Sequence, residues 1–283
     1  MASTTSEHAV TTRKRRLAAS LDRPGSRTGL ALLASAYLTR RERERCRVSR
    51  SDAGWVHRYR DGVVVYPTLN PDDTARDLLS KTEDIYLHGL RLGPGDVVVD
   101  VGAGVGEQVL GMARTVGPRG KVIALEAHPG TYRCLLETRR LNGLSNVTAL
   151  HLAASSAAGE LWISDDATFE SNSLTSAPGT GGFAVAAQPL DQVLAAHEVD
   201  RIDLLKMNIE GAEVDALAGM TTALPRVRQA VIACHDFLAE SPDDPRRTKE
   251  RVRRILLDAG FTVTDRTDPR PWVDGCLYAT RGG

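Results

Sequence analysis

Short apolar runs separated by amphipathic stretches fill the chain from Asp96 onward. VVVDV (97–101), KVIALEA (121–127), NVTALHLAA (146–154), RIDLLKMNI (201–209) and QAVIACH (229–235) are each of strand length. They are apolar nearly throughout instead of alternating, as expected of parallel strands covered on both faces. The stretches 108–115 and 132–142 carry helical spacing between them. This alternation predicts an α/β fold, a mostly parallel sheet with helices on both faces. FTVTD and CLYATR close the chain and predict an antiparallel hairpin at one edge.

Upstream the period changes. Leu30, Leu33, Tyr37 and Leu38 recur at helical spacing and predict a helix from Leu30 to about Arg47 with one apolar face. That face suits the main domain or a second copy of the chain, so a homodimer through this helix is one expected partnership. The run from Trp55 to Tyr66 alternates around Asp61-Gly62, a hairpin signal. Asn70-Pro71 opens a further helical stretch with Leu78, Leu79, Ile85 and Leu87, which Gly93-Pro94-Gly95 ends. Residues 1–25 are polar, Ser/Thr-rich and basic, and predict a disordered tail. The organisation is therefore a tail (1–25), a helix-and-hairpin cap (26–92) and a main domain (93–283).

Composition changes this picture little. The 283 residues are 42% hydrophobic and 25% charged, with a formal net charge of +0, which gives no overall bias toward nucleic acid. Residues 1–60 do hold 14 Lys/Arg against 5 Asp/Glu, a local basic bias read as solvated surface. Cys46, Cys134, Cys234 and Cys276 are far apart in the sequence, with no zinc spacing. No run of 18 apolar residues exists, so no membrane span is expected. The start has basic residues but no apolar core behind them, unlike a secretory signal. The expected compartment is the cytoplasm.

The chemistry concentrates in VVVDVGAGVGEQ. A strand runs into a tight turn and then a helix N-terminus. Gly102, Gly104 and Gly106 permit the turn and let a ligand approach the backbone, with Ala103 and Gln108 in the same loop and helix start. The spacing is GxGxG, and glycines alone say only "nucleotide". Asp100, just before them, adds a preference. A carboxylate there would repel a pyrophosphate, but suits S-adenosylmethionine (SAM), whose methionine end carries an ammonium and a cationic sulfur. Glu126 ends the second strand, where a carboxylate can accept both ribose hydroxyls. Ala127, Ala153 and Ala154 are small enough to admit a flat base, and Ser173 can reach the ligand from a loop.

The fourth run, IDLLKMNIEGAE, ends in unusually many polar groups. Asn208 and Glu210 are expected at the same strand-end crevice. Asn208 would hydrogen-bond the cofactor's methionine end. Glu210 would bind a substrate hydroxyl or take its proton. Glu213 and Asp215 are expected in the first turn of the next helix, where negative charge is favourable. CHDF brings His235 and Asp236 to the same rim, and a histidine has a suitable pKa for a hydroxyl proton. Catalysis is therefore assigned to His235, Glu210 and Asp236. A divalent cation across those three residues is the less favoured alternative, and no metal ligands are assigned.

GDVVVDVGAGVGE, VIALEAHP, PLD at 189–191 and IDLLKMNIEGAEVDALAGM together resemble the FkbM family of SAM-dependent methyltransferases, over residues 55–280. The resemblance implies a Rossmann-like class I methyltransferase fold, with a mostly parallel seven-stranded sheet behind the N-terminal cap. It implies O-methylation of a hydroxyl on a sugar or natural product, and the expected partner is a small-molecule hydroxyl acceptor, glycosylated or not. It also implies that Glu83 reaches the methionine end of SAM. The chain departs from the family pattern at Asn208, where Asp is usual, at Ala103, where Asn is frequent, and at CHDF. Two other readings are an NAD-dependent oxidoreductase and a SAM-fold interaction protein without catalysis. Neither nucleic acid nor membrane is an expected partner.

Overall fold

A computed structural model of the chain describes residues 20–70, 80–165, 174–175, 182–241, 243–244 and 246–282. Most of the expected tail, the helical stretch at 71–79 and Ser173 lie outside the described residues.

The apolar runs form β4 (Val97–Val101), β5 (Lys121–Glu126), β6 (Val147–His151), β11 (Leu204–Asn208) and β12 (Gln229–Ala233). With β13 (Thr262–Thr264) and β14 (Cys276–Thr280) they make a seven-stranded sheet in the order β13-β14-β12-β11-β4-β5-β6. The first five are mutually parallel, and β14 runs antiparallel to both β12 and β13. Alternation along each strand divides the core in two. Val98, Val122 and Ala124 belong to one apolar cluster, with Met112 and Leu135. Val99, Val101, Ile123 and Leu125 belong to the other, with Leu190 and Leu256. Helices α2 (Glu107–Val116) and α3 (Pro129–Leu141) supply the first cluster. Helices α4 (Leu190–Ala196), α5 (Glu213–Ala218) and α6 (Lys249–Asp258) supply the second. The strand order reverses between β4, whose following helix α2 packs in the first cluster, and β11, whose following helix α5 packs in the second, so a crevice opens at the carboxyl ends of these strands.

Two strand readings need correction. The third run is split: after β6 the chain switches sheets, and β7 (Ala153–Ala154) pairs with β10 (Phe183–Gln188). β8 (Gly159–Ile163) and β9 (Leu174–Thr175) complete this four-stranded sheet, in the order β7-β10-β8-β9. The C-terminal pair does lie at the sheet margin, but its link contains the short helix α7 (Pro271–Asp274).

The N-terminal helix α1 spans Arg27–Glu42, and Arg43 ends it at φ +55. Arg47, the expected last residue of this helix, instead opens β1 (Arg47–Arg50), paired with β2 (Trp55–Tyr59), which pairs with β3 (Gly62–Tyr66). The hairpin loop is Arg60-Asp61, one residue earlier than expected, with Gly62 paired to Tyr59. The helix is also rotated from the expected face. Ala34 and Leu38 pack inward, while Leu33 is 70% and Tyr37 43% exposed.

Hydrogen bonds fix that rotation. Ser35 Oγ accepts the Val48 N–H (2.8 Å), and Thr39 Oγ1 accepts the Cys46 N–H (3.0 Å). Four helical residues rise about 6 Å and two strand residues about 6.6 Å, so the two ladders match. On the other side, Asn142 Oδ1 accepts the Val63 N–H (2.9 Å) and Thr138 Oγ1 the Val65 N–H (3.0 Å). Residues 20–25 are not a free tail. Asp22 Oδ2 accepts the indole N–H of fully buried Trp55 at 2.9 Å, because a buried indole needs an acceptor. Among the described residues, no helix is long and apolar enough to cross a membrane.

Candidate active site

The glycine loop lies between the ends of β4 and β5. Gly102 and Gly104 line a cleft at φ +77 and +57, a region that L side chains rarely enter. A Cβ on Gly102 would also collide with the Asn208 carbonyl. Gly106 and Ala103 have other tasks than the one expected. Gly106 lets α2 approach α3, since its Cβ would stand 2.8 Å from a Leu135 methyl. Ala103 is 1% exposed and secures the loop, its N–H bonded to the Leu125 carbonyl at 2.9 Å. Gln108 lines the cleft, as does Glu107 in the first turn of α2.

Glu126 faces the loop across the cleft. Its Oε2 accepts the Gly104 N–H (2.9 Å) and its Oε1 the His128 N–H (2.8 Å). Burial pushes the carboxyl up to about 7, against the pull of those two bonds. Ala127, Ala153 and Ala154 line the adjoining wall, and Ile163 of β8 joins them.

Asp100 lies beneath the loop, 0% exposed, and not on the cleft wall. The parallel register sets Lys206 of β11 beside it, with Nζ 2.7 Å from Oδ1. Burial raises the carboxyl's pKa and the Lys206 ammonium opposes it. Oδ2 has no hydrogen-bond partner among the described residues. The pair is close to neutral, which weakens the repulsion argument against a pyrophosphate. Glu83 must also be corrected. It is exposed on the wide turn Thr82–Tyr86, and Tyr86 of that turn lines the cleft instead. Asp84 of the turn pairs with Arg266 and Arg270, and Ile85 O accepts the Tyr278 hydroxyl, so the turn is fastened to the C-terminal hairpin.

Asn208 and Glu210 line the cleft opposite the glycine loop. Glu210 has φ +53, uncommon for a non-glycine residue, and the following Gly211 has φ +104. His235 Nε2 stands 3.0 Å from Glu210 Oε1, and its Nδ1 stands 3.0 Å from Glu213 Oε1. Glu213 opens α5 as expected, but it is 0% exposed, and its Oε2 also accepts the Thr248 hydroxyl at 2.8 Å. Burial disfavours a charged His235, yet the two carboxylates outweigh it and raise its pKa to about 9. At neutral pH the ring is an imidazolium with both nitrogens engaged. The sequence predicts that it takes the hydroxyl proton itself; with both nitrogens held by carboxylates, it is instead placed to hold Glu210. Asp236 is corrected too. Its Oδ1 accepts the Thr248 and Lys249 N–H groups, both at 2.8 Å, so it caps α6. Among the described residues, no group of three or more His, Cys, Asp or Glu is arranged to hold a metal ion.

The cleft fits an adenosyl cofactor with a cationic tail. It offers a glycine loop bare of side chains at Gly102 and Gly104 and a carboxylate, Glu126, at the end of β5, with the buried Asp100 carboxylate beneath the loop. Sequence reasoning missed Lys206, Tyr86, Glu107 and Ile163. A lysine inside the apolar run LLKMN was the available signal for the first, because a buried ammonium needs a partner.

A family model, the methyltransferase FkbM domain, matches residues 100–263. The chain is similar to 31-O-demethyl-FK506 methyltransferase FkbM of Streptomyces tacrolimicus, 30% identical over 224 residues, covering 66% of this chain and 81% of that protein. It is similar to hexuronic acid methyltransferase AglP of Haloferax volcanii, 27% identical over 194 residues, covering 68% and 76%. It is also similar to methyltransferase sdnD of Sordaria araneosa, 29% identical over 218 residues, covering 65% and 81%. The match spans the glycine loop and both strand-end constellations, and this chain belongs to the FkbM family of SAM-dependent methyltransferases.

Proposed function

We propose that this enzyme methylates a hydroxyl group on a sugar or other small natural product, with Glu210 taking up the hydroxyl proton. Glu210 carries the reading. It lies on the cleft wall beside Asn208, in a left-handed backbone conformation that is retained where surrounding structure imposes it. His235 holds its Oε1, leaving Oε2 for the acceptor. Glu126 receives the ribose hydroxyls, and Ala153 and Ala154 face the base. SAM supplies, when bound, a methyl group on a cationic sulfur, already activated toward a nucleophile.

The protein's part is mainly positioning, which can lower a barrier by about 7–11 kcal/mol. Attack of the acceptor oxygen on that methyl group would release S-adenosylhomocysteine as a neutral thioether, and the chain's own task is to orient the oxygen and receive its proton. The hydroxyl proton passes to Glu210. Two relatives support the acceptor class: one acts on a hexuronic acid and one on 31-O-demethyl-FK506. The dinucleotide alternative falls with the family assignment.

The test is S-adenosylhomocysteine release with a panel of uronic acids, neutral sugars, O-demethylated macrolides and amino sugars. Turnover of at least one hydroxyl acceptor, lost on methylation of that hydroxyl, is the expected result. Turnover confined to amine acceptors would overturn it.

A further inference from the structure

We propose that Lys206 is a positioning residue for cofactor binding, its ammonium locking the Gly102–Ala103 peptide of the glycine loop. The inference rests on SAM as the cofactor. Lys206 is 1% exposed in a strand whose other inward positions are apolar. Burying an ammonium is expensive, and a buried ion pair is often matched or bettered by apolar residues. A contact with Asp100 alone would therefore give little reason for a lysine here.

The ammonium makes a second contact. It donates to the Gly102 carbonyl at 2.8 Å. The same peptide's N–H, on Ala103, is bonded to Leu125 O at 2.9 Å. One edge of this peptide is thus held from β11 and the other from β5, so it cannot rotate. Gly102 of this peptide lines the cleft, and Gly104, which also lines it, follows directly. A third contact reaches the cleft wall directly, because Nζ stands 5.2 Å from the centre of the Tyr86 ring. One buried cation joins the glycine loop, the strand bearing Asn208 and the turn bearing Tyr86.

Removing Lys206 alone would strand a buried Asp100 carboxylate, so the comparison is made without that charge. Asp100→Asn and the double variant Asp100→Asn/Lys206→Met are titrated with S-adenosylhomocysteine by calorimetry. The double variant is expected to bind at least tenfold more weakly than Asp100→Asn. The KM for SAM should rise in step while the acceptor KM stays unchanged. Amide exchange at Ala103 should also accelerate in the double variant. Equal affinity in the two variants would overturn the inference, because Lys206 would then serve only to balance Asp100. Failure of both variants to fold would overturn it too, placing the pair in the service of the core. Absence of binding by the unsubstituted chain would overturn the cofactor reading and this inference together.

Discussion

His235 shows how two neighbours can reverse a residue's chemistry. A lone histidine at a strand end reads as a base, but between two carboxylates it becomes a cation that fixes one of them. Glu210→Gln should lower kcat by about 10²–10⁴, the usual range for losing a general base, with little change in KM for SAM. His235→Ala should lower kcat less, because Glu210 remains but is no longer held. Steady-state kinetics of both variants check this, and full rate in Glu210→Gln would remove it from the chemistry. The raised pKa of His235 also has a sign in stability. Its contribution is complete below about pH 6.5 and is lost as pH rises through about 9. Urea unfolding between about pH 7.5 and 9.5 should show that decline in the native chain and not in His235→Ala. Glu126 is also shifted upward, but by burial, which favours its neutral form. A carboxyl at about 7 must ionise to accept two ribose hydroxyls. Affinity for S-adenosylhomocysteine should therefore rise from pH 6 to 8, and binding at the lower pH should release a proton. Calorimetry in buffers of different ionisation enthalpy measures that proton directly.

Among the elements, those with strong patterns were legible and those set by side-chain bonding were not. The five apolar runs became strands because both faces of a parallel sheet are buried, which leaves an unmistakable composition. The strand β1 had no such mark, since RVSR alternates only weakly and follows an Arg/Glu run that reads as helix. Its place is set by Ser35 and Thr39, polar residues that periodicity assigns to solvent. Thr39→Val should therefore destabilise the protein by about 1–3 kcal/mol, the cost of leaving a buried backbone group unpaired, although shape is preserved. Denaturant unfolding checks this, and a change near zero would mean the Cys46 amide finds another partner. At the glycine loop the sequence was more informative, but it could not separate glycines that face a ligand from Gly106, which faces Leu135. Gly102→Ala should abolish S-adenosylhomocysteine binding, because the added methyl collides with the Asn208 carbonyl and the backbone is left-handed. A thermal shift by ligand that survives this substitution would show that the loop can yield.

For the molecule as a whole, the parallel sheet with its antiparallel margin was legible from alternation and the site's location from the glycine loop and the polar strand ends, while the strand order and the division of labour inside the site were not. Asp100 reads as a ligand contact until the register sets Lys206 beside it, and register is a tertiary fact. Residues 20–25 read as part of a disordered tail until Trp55 requires an acceptor from Asp22. The small N-terminal sheet has a further consequence. One margin is closed by hydroxyls of α1 and the other by Thr138 of α3 and Asn142 just after it. An uncovered strand margin is a template on which other chains can add and from which aggregates grow. Here neither side offers such a template, so the three strands can stay short and Val-rich without inviting a stranger's backbone. The helix before them thus acts as a guard against self-association by strand exchange.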